Sequence, residues 1–433
     1  MTDWIALDKA HCWHPFTRQA EWTSEESKPL MLVRGEGVWL EDAKGQRYID
    51  GNASIWTNIH GHAHPVINAA ISEQLSRVAH TSFLGYSHPL AAELSERLVR
   101  FFPETTLQRV FFSDDGSTAL ECALKMAIQY RLQSGEEGRT EFVAFANGYH
   151  GDTMGAASLG GVNAFFERFR KFGFPVRFVS SLAELQELEG LDSVAGVVIE
   201  PLVQGVNQIH VWPEGMLRDL RAFTEAQGIH LILDEVMTGF GRTGTMFACQ
   251  RENVVPDFLC LAKGLTGGYL PMAATLVREE IYEAFLGDAS KAFYYGHSYT
   301  ANPLGCAAAL ANLDIFESES TLEKLPAKVD YLAGRLQRLA EESPYVSEVR
   351  QCGVVVGIEL RDAEGKAFAP ARRVGEQVCV AARRYGLLTR PILDTLVFLP
   401  PLSITEEEID LALVAIAQGI SAVLGQESPD LSN

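Results

Sequence analysis

Short apolar runs recur along the middle of the chain, and most are separated by segments long enough to form a helix. The runs are RVFF (109–112), FVAF (142–145), VRFV (176–179), VAGVVI (194–199), IHLIL (229–233), FLCLA (258–262) and MAATLV (272–277). Strands that are apolar along their whole length are typical of a parallel sheet covered by helices on both faces. Helical patterns at 117–132 and 214–227 lie between such runs. We therefore predict an α/β fold built on a mostly parallel, seven-stranded sheet.

One connection in this series is too short for a parallel crossover. Only KGLTGGYLP (263–271) separates FLCLA from MAATLV, whereas a parallel crossover needs about a dozen residues or more. We therefore predict that MAATLV forms one antiparallel strand, at the edge of the sheet.

After residue 310 the pattern becomes helical and then gives short strands at 354–360 and 396–399. It ends in a helix whose start is marked by a capping box of Thr405 and Glu408. These features predict a smaller α+β domain.

The chain of 433 residues, of which 47% are hydrophobic, is long enough to bury a large core. We predict three regions. Residues 1–58 form an arm and a hairpin, with strands at 38–41 and 47–49, that packs with the small domain. Residues 59–312 form the large α/β domain, and residues 313–433 form the small α+β domain.

Charge and cysteine usage restrict the partners and the compartment. The 56 acidic residues outnumber the 36 basic ones, for a net charge of -20, which argues against nucleic acid or an anionic membrane as a partner. Seven scattered cysteines without a C-x-x-C pair indicate reduced thiols. The N-terminus lacks a signal-like pattern, and the apolar stretch 411–424 is interrupted by polar residues. We predict a cytoplasmic protein that acts on small molecules.

Polar side chains follow four of the predicted strands. RVFF leads into SDDGS (113–117), VAGVVI into Glu200, IHLIL into Asp234, and FLCLA into Lys263. In an open parallel sheet, ligands bind at the carboxyl ends of the strands. Gly116 and Ser117 open a helix, whose free amide groups suit a phosphate. The alternative is a capped helix without a ligand, and the neighbouring Asp115 opposes a phosphate unless its carboxylate acts as that cap.

Lys263 and Asp234 complete a chemical set. A lysine at the end of an apolar strand becomes nucleophilic if burial favours its neutral amine, although its ammonium could instead reach solvent. Asp234 follows four buried-type residues, so its carboxylate needs a cation or several donors. A helix N-terminus that can bind an anion, a buried carboxylate and an amine together match the needs of pyridoxal 5′-phosphate. This cofactor requires an anchor for its phosphate, a partner for its ring nitrogen and a lysine.

Two competing motifs are weaker. Gly239, Gly241 and Gly244 satisfy the dinucleotide pattern G-x-G-x-x-G, but no apolar helix follows them, so a nicotinamide-dependent oxidoreductase remains a remote alternative. His60 and His62, with His64, could suggest a metal cluster. Their spacing is not that of a helical or finger site and no cysteine is near, so we predict an ordered loop and no metal.

At the level of whole segments, residues from His11 to about Pro401 resemble the class III (fold type I) pyridoxal-phosphate aminotransferases. The blocks that carry the resemblance are FFSDDGSTALECALKMA, NGYHGDTMGA, VVIEPLVQG, LILDEVMTGFGRTG, CLAKGLTGGYLPMA and GHSYTANPLGCAAAL. The resemblance implies the PLP-dependent transferase fold type I, pyridoxal 5′-phosphate as cofactor, and a homodimer with shared active sites. WHPFT (13–17), SIWTNIHGHAHP (54–65) and TRP around Arg390 followed by LPPL are similar to members that aminate 8-amino-7-oxononanoate in biotin biosynthesis, with S-adenosylmethionine as donor.

The same resemblance implies roles for single residues. It makes Lys263 the lysine that carries the cofactor and shuttles the proton, and Asp234 the partner of the ring nitrogen. The remaining cofactor-binding residues that it implies are Gly116, Ser117, Tyr149, His297 and Ser298, of which Ser298 would reach the phosphate of the neighbouring subunit. The substrate-binding residues that it implies are Trp56, Tyr149, Arg242, Gly296 and Arg390, with Arg390 clamping the carboxylate of the keto acid.

Each of these roles has a structural alternative. Trp56 and Tyr149 could be core aromatic residues, Arg390 could form a surface ion pair, and Arg242 could serve only the GFGRTG turn.

Departures from the family pattern affect the choice of substrate. Phe16 stands where many members have tyrosine, Ile55 stands where many have a second tryptophan, and Ile392 and Leu393 follow Arg390-Pro391 where a glycine is usual. The donor could therefore be lysine, which some members use. A second hypothesis is another class III ω-aminotransferase, acting on an ω-amino acid, an ornithine derivative or a diamine. A third is a non-catalytic relative, which the intact Lys263 and Asp234 disfavour.

Overall fold

The central sheet of the computed structural model, which describes residues 3–425, has seven strands. All run parallel except one, as predicted, and the fold class is α/β. In spatial order the strands are Leu107–Ser113, Ala273–Arg278, Phe258–Leu261, His230–Asp234, Val194–Ile199, Glu141–Phe145 and Val176–Val179.

The antiparallel strand is Ala273–Arg278, which contains the predicted MAATLV run. Its predicted position at the edge of the sheet is wrong. It pairs on one side with Phe258–Leu261 and on the other with Leu107–Ser113, which is the edge strand. The physical reason is that the strand is buried along almost its whole length and needs a partner on both sides, and the strand that supplies the second partner comes more than 150 residues earlier, from 107–113.

Both faces of the sheet are buried, because successive residues of a strand point to opposite sides. In the strand His230–Asp234, Leu231 and Leu233 belong to one apolar cluster and Ile232 to another. The longer helices of the region 59–312 are Pro65–Arg77, Pro89–Val99, Gly116–Gln133, Met216–Ala226 and Pro303–Ser318. The shorter α-helices there are Met154–Leu159, Asn163–Phe166, Leu182–Gln186 and Glu279–Glu283.

The N-terminal region begins with the helices Trp4–His11 and Gln19–Thr23. The predicted hairpin follows as Trp39–Asp42 and Arg47–Asp50, and Leu32–Glu36 adds a strand that the sequence analysis did not predict. Arg47–Asp50 also pairs in parallel with the two-residue strand Leu387–Leu388 from the C-terminal part. The N-terminal hairpin and the C-terminal region therefore share one sheet. The division of the chain at residues 58 and 312 stays a prediction.

Residues 321–425 combine a separate four-stranded sheet with three α-helices. In spatial order the strands are Val346–Cys352, Val355–Leu360, Thr395–Phe398 and Pro391–Ile392, and the helices are Thr321–Glu342, Val374–Ala382 and Glu406–Leu424. The predicted capping box is confirmed, because the hydroxyl of Thr405 accepts from the amide of Glu408 and the Glu408 carboxylate accepts from the amide of Thr405.

The seven cysteines are free thiols, and six of them are buried. Within residues 3–425, no helix combines the length and the apolar character that crossing a bilayer requires.

His230, a buried histidine at the start of the strand that ends in Asp234, makes the stability of the protein depend on pH. Burial is the main cause that lowers the pKa of His230 to about 3, and Asp257 opposes that shift only in part. The pKa in the unfolded chain is about 6.5, so the unfolded chain binds the proton more readily and stability is lost as the pH falls from about 6.5 towards 3. The rings of Tyr130 and Phe258 meet His230 edge-on, at 5.1 and 5.6 Å.

Replacement of His230 by phenylalanine removes this titration while leaving an aromatic ring between its neighbours. We expect the unfolding free energy of His230→Phe to fall by about 2 kcal/mol less than that of the original protein between pH 7 and pH 5. Urea unfolding at the two pH values measures the difference, and replacement of the exposed His11 by phenylalanine is the control. An equal fall in both proteins would contradict the assignment.

Candidate active site

The strand ends of the central sheet open into one cavity of about 410 Å³. Its wall contains the predicted anion-binding site, the predicted carboxylate and the predicted amine, together with two aromatic side chains. The residues that argue for a ligand site are Trp56, Gly116, Ser117, Tyr149, His150, Glu200, Asp234, Val236 and Lys263. The cavity therefore brings together residues that are widely separated in the sequence, at the end of the sheet where ligands were expected.

The predicted anion-binding site is the N-terminus of the helix Gly116–Gln133. Asp115 is the cap of this helix, because its carboxylate accepts from the amide of Thr118 at 2.9 Å. The carboxylate of Asp115 is thus bound to the helix as its cap. This is the arrangement under which the sequence allows an anion to bind at the N-terminus of the helix. A Cβ atom on Gly116 would lie 2.7 Å from a methyl carbon of Val236, so any other residue there would force Val236 to move. The first amide groups of a helix have no partner within it and attract anions.

Asp234 lies at the end of its strand with 4% of its surface exposed. The Nδ1 atom of His150 donates to its Oδ2 atom at 2.7 Å, and the amide of Val236 donates to Oδ1 at 3.1 Å. Burial alone would lower the pKa of His150, but the hydrogen bond and the charge of Asp234 outweigh it and raise the pKa. His150 therefore fixes the orientation of a carboxylate that faces the cavity.

Lys263 follows the strand Phe258–Leu261 in a left-handed backbone conformation, with φ of 43°. Burial lowers the pKa of its amine, and the charges of Asp234 and Glu200 oppose that shift only in part. The Nζ atom lies 4.9 Å from the ring centre of Trp56. A larger fraction of this lysine is neutral than of a lysine in water, as a nucleophilic amine requires.

Glu200 is a buried carboxylate that borders the same cavity. It accepts from the amide of Tyr149 at 3.0 Å and from the amide of Gly205 at 2.8 Å. Burial raises its pKa to about 7, and Asp234 adds to the increase. Glu200 thus ties the segments that carry Tyr149 and Gly205 to the end of one strand. Its position at a strand end was predicted from the sequence, but no role was predicted for it.

The two predicted aromatic residues border the cavity instead of lying in the core. The ring of Tyr149 stacks on Phe166 with 5.9 Å between centres, and its hydroxyl donates to the carboxylate of Asp152 at 2.7 Å. The indole N–H of Trp56 donates to the side-chain oxygen of Asn52 at 2.8 Å. These bonds fix both rings.

Sequence reasoning missed His150 and Asp152, although both lie in the quoted block NGYHGDTMGA. Only their contacts distinguish them, since the amide of Asp152 also donates to the hydroxyl of Ser117 at 3.1 Å.

Three predicted residues lie on a neighbouring surface segment and do not line this cavity. Gly296 and Ser298 are exposed, and the Nδ1 atom of the half-buried His297 lies 3.5 Å from a carboxylate oxygen of Asp114. Asp114 itself borders the cavity. The role of Ser298 was implied for the cavity of a second subunit, so it stays a prediction.

The two predicted arginines occupy different surroundings, both outside the cavity wall. Arg242 is 1% exposed and donates to the backbone oxygens of Pro400 and Asn58, at 2.7 and 2.6 Å. Burial lowers its pKa to about 9. These contacts agree with the structural alternative, and a substrate role for Arg242 stays a prediction.

Arg390 is exposed and precedes the strand Pro391–Ile392. Ile392 packs in the same apolar cluster as Trp56, which links this segment to the cavity wall. No ion pair of Arg390 is found among residues 3–425, so the surface ion pair considered as its structural alternative is not observed there. Its role as the clamp on a carboxylate stays a prediction.

The competing motifs have other surroundings. Gly241 and Gly244 lie in a turn with φ of 86° and 106°, and the next helical segment is a short 3₁₀ turn, Ala248–Glu252. The three histidines of the HGHAH segment each contact a different partner: His60 the backbone oxygen of Asn312, His62 the carboxylate of Asp50, and His64 the carboxylate of Glu319. Across the described part of the chain, no group of three or more metal-binding side chains comes together.

Comparison with known proteins decides the family. The family model described as aminotransferase class III matches residues 22–420. The chain belongs to the class III aminotransferases. This aminotransferase is 44% identical to the adenosylmethionine-8-amino-7-oxononanoate aminotransferase of Geobacter sulfurreducens, over 98% of this chain and 98% of that protein.

Solved structures agree with this family. The crystal structure of adenosylmethionine-8-amino-7-oxononanoate aminotransferase from Methanocaldococcus jannaschii is similar to this aminotransferase with a TM-score of 0.93, at 38% identity and covering 97% of this chain and 98% of that one. An amine transaminase from an uncultivated Pseudomonas species, in its PLP-bound form, gives a TM-score of 0.89 at 35% identity, covering 95% and 98%. The predicted transferase fold is confirmed.

Proposed function

We propose that this aminotransferase uses pyridoxal 5′-phosphate to convert 8-amino-7-oxononanoate to 7,8-diaminononanoate in biotin biosynthesis, with S-adenosylmethionine as the amino donor. The observation that carries the proposal is the single cavity bordered by Lys263, Asp234 and the N-terminus of the helix Gly116–Gln133. The near full-length similarity to relatives that bear the name of this reaction supports the choice of acceptor and donor.

The residues of the cavity fit the proposed cofactor. Gly116 and Ser117 provide amide groups and a hydroxyl for its phosphate. Asp234 provides a carboxylate for the protonated ring nitrogen, and Lys263 provides the amine for the aldehyde carbon. The bound cofactor supplies the electron sink that allows a proton to leave the carbon bearing the amino group. Tyr149 provides an aromatic face for the ring.

The side chains of this chain then have defined tasks. His150 holds Asp234 in place through the 2.7 Å hydrogen bond, so the carboxylate does not reorient when a ligand binds. The amine of Lys263, whose pKa burial lowers, would accept the proton that leaves the substrate carbon and would hold it on its Nζ atom until it is returned. Trp56, whose ring centre lies 4.9 Å from the Nζ atom of Lys263, covers this amine on one side.

The proposed acceptor carries one charge of each sign, and the chain offers a partner for each. Arg390 is an exposed guanidinium that can bind the carboxylate of 8-amino-7-oxononanoate with two parallel hydrogen bonds. Asp152, which already accepts from the hydroxyl of Tyr149, can accept from the ammonium group of the substrate. We infer that these two groups fix the length and the direction of the acceptor.

We further infer a homodimer in which Gly296, His297 and Ser298 reach the cavity of the second subunit. The support is the pair of exposed aromatic rings that flank this segment, with Tyr294 84% and Tyr299 58% exposed. Burial of such rings between subunits is a common source of association energy. The free thiols and the acidic composition suit the cytoplasm as the compartment.

Half-reaction spectra test the proposed function. We expect S-adenosylmethionine to convert the yellow protein to its colourless, amine-loaded form, and 8-amino-7-oxononanoate to restore the colour and yield 7,8-diaminononanoate. Lysine and 4-aminobutyrate serve as the comparison donors. Conversion by lysine alone would change the donor, as Phe16 and Ile55 allow.

A second candidate function is transamination of other amines. The similarity in fold to the amine transaminase favours it, and it shares the same cavity chemistry. Rapid conversion by 4-aminobutyrate or a simple amine, with no recovery of colour on addition of 8-amino-7-oxononanoate, would support this candidate and contradict the proposed acceptor.

A further inference from the structure

Four consecutive non-glycine residues form a left-handed turn immediately before the cavity wall. Ala53, Ser54, Ile55 and Trp56 have φ angles of 42°, 50°, 65° and 67°. The left-handed region is unfavourable for residues with a Cβ atom, and most unfavourable for a β-branched residue such as Ile55. A run of such residues persists only where its surroundings hold it, and strained backbone of this kind clusters at functional sites.

A buried carboxylate holds the entry of this turn. Asp50, 3% exposed, accepts from the amide of Ser54 at 3.0 Å and from its hydroxyl at 2.7 Å. It also accepts from the Nε2 atom of His62 at 3.0 Å. Asp50 ends the strand Arg47–Asp50, which pairs on both sides, so the carboxylate is presented by a fixed backbone.

His62 connects the entry of the turn to its exit. Its Nδ1 atom accepts from the side-chain amide of Asn58 at 3.3 Å, while Nε2 donates to Asp50. One neutral tautomer, with its proton on Nε2, satisfies both contacts. The backbone oxygen of Asn58 in turn accepts from the buried guanidinium of Arg242 at 2.6 Å. Both ends of the left-handed turn are therefore tied to buried side chains.

The residue that the turn delivers is Trp56. Its ring centre lies 4.9 Å from the Nζ atom of Lys263. On the other side, a Cβ atom on Gly205 would lie 2.8 Å from the indole ring, so the ring is in close contact there. A right-handed turn at 53–56 would send the side chain in another direction, so the contact with Lys263 depends on the strained backbone.

We propose that Asp50 is a positioning residue: through Ser54 and His62 it holds the left-handed turn that places the indole of Trp56 beside the amine of Lys263. Neither Asp50 nor His62 lines the cavity. The inference rests on the proposed function only in taking Lys263 as the reactive amine. The strain of the turn is retained as long as the carboxylate and His62 hold it, and its release moves Trp56 away from Lys263.

Replacement of Asp50 by asparagine tests this. The amide keeps the shape but removes the charge and sets an N–H group against one of the three donors. In cofactor-free protein, the pH dependence of labelling of Lys263 by acetic anhydride, followed by peptide mass spectrometry, reports the pKa of its amine. We expect a downward shift of about half a unit to one unit in Asp50→Asn, because the aromatic face no longer stabilises the ammonium form. We expect kcat/KM to fall about tenfold in the holoenzyme.

A second substitution separates positioning from general damage. Glycine adopts the left-handed region freely, so Ile55→Gly in the Asp50→Asn background should restore the labelling profile, whereas Ile55→Val should not. The charges that act on Lys263 are those of Asp234, Glu200 and Arg242, and all three remain in every variant.

Asp42→Asn is the matched control. Asp42 is a second buried carboxylate of the same hairpin, and it accepts from the amides of Lys44 and Gln46 and from the hydroxyl of Tyr48. Its loss should lower the stability and leave the labelling of Lys263 unchanged. If Asp50→Asn does not fold, Ser54→Ala, which removes only the 2.7 Å bond, carries the same readout with a smaller shift.

An unchanged labelling profile in folded Asp50→Asn or Ser54→Ala, or failure of Ile55→Gly to restore it, would overturn the proposal. A shift of the same size in Asp42→Asn would also overturn it. The labelling uses neither cofactor nor substrate, so its outcome is independent of whether the proposed reaction is the correct one.

Discussion

Replacement of Lys263 by alanine is expected to lower the turnover of 8-amino-7-oxononanoate by about 10⁴-fold or more, because the same amine binds the cofactor and moves the proton. In the structure Lys263 borders the cavity together with Asp234 and Glu200, and burial lowers its pKa. No other lysine borders the cavity within the part of the chain that the structure describes. Chromatographic measurement of 7,8-diaminononanoate formed with S-adenosylmethionine gives the rate.

The matched control for this variant is Lys328→Ala. Lys328 is a half-buried lysine whose pKa burial also lowers, but its amine donates to the backbone oxygen of Leu402, outside the cavity wall. We expect Lys328→Ala to lower the stability and to retain the turnover. A Lys263→Ala protein that keeps turnover within tenfold of the original would show that another group performs the chemistry.

Replacement of Asp234 by asparagine is the second prediction with a large effect. The buried carboxylate pairs with His150, and removal of one partner of a buried charged pair costs about 3–5 kcal/mol. A loss of that size in the bound state of the ring nitrogen lowers kcat roughly 10²- to 10⁴-fold. Stopped-flow measurement of the half-reaction with S-adenosylmethionine isolates this step.

Asp257→Asn separates this effect from loss of stability. Asp257 is also buried at the central sheet, where it contacts Arg221 at 2.8 Å and Arg278 at 3.0 Å, but it lies outside the cavity wall. We expect the folded Asp257→Asn protein to keep its half-reaction rate. Equal losses of rate in the two variants would contradict a specific role for Asp234.

The central sheet and the meeting of Asp234, Lys263 and the Gly116–Ser117 turn in one cavity could be predicted because they depend on local patterns. Apolar runs define the strands, and parallel strands bring their carboxyl ends to one edge of the sheet. A polar residue that follows such a run is therefore placed by the pattern alone. Capping by Asp115 required the structure, since a carboxylate beside a phosphate seat can face either way.

Features that depend on long-range pairing were not predictable. The edge position of Ala273–Arg278 was wrong because its outer partner, Leu107–Ser113, comes from a distant part of the chain. The bond between His150 and Asp234 joins residues 84 positions apart, and no sequence pattern marks it. The left-handed turn of 53–56 is held by Asp50 and His62 against the local preference of Ile55, so local propensity predicts the opposite of what is found.

Reduction of the holoenzyme with borohydride, followed by digestion and peptide mass spectrometry, tests whether Lys263 is the residue that binds the cofactor. We expect a phosphopyridoxyl mass increment on the peptide that contains Lys263 and on no other lysine-containing peptide. A colourless protein without this increment, or an increment on a different lysine, would contradict it.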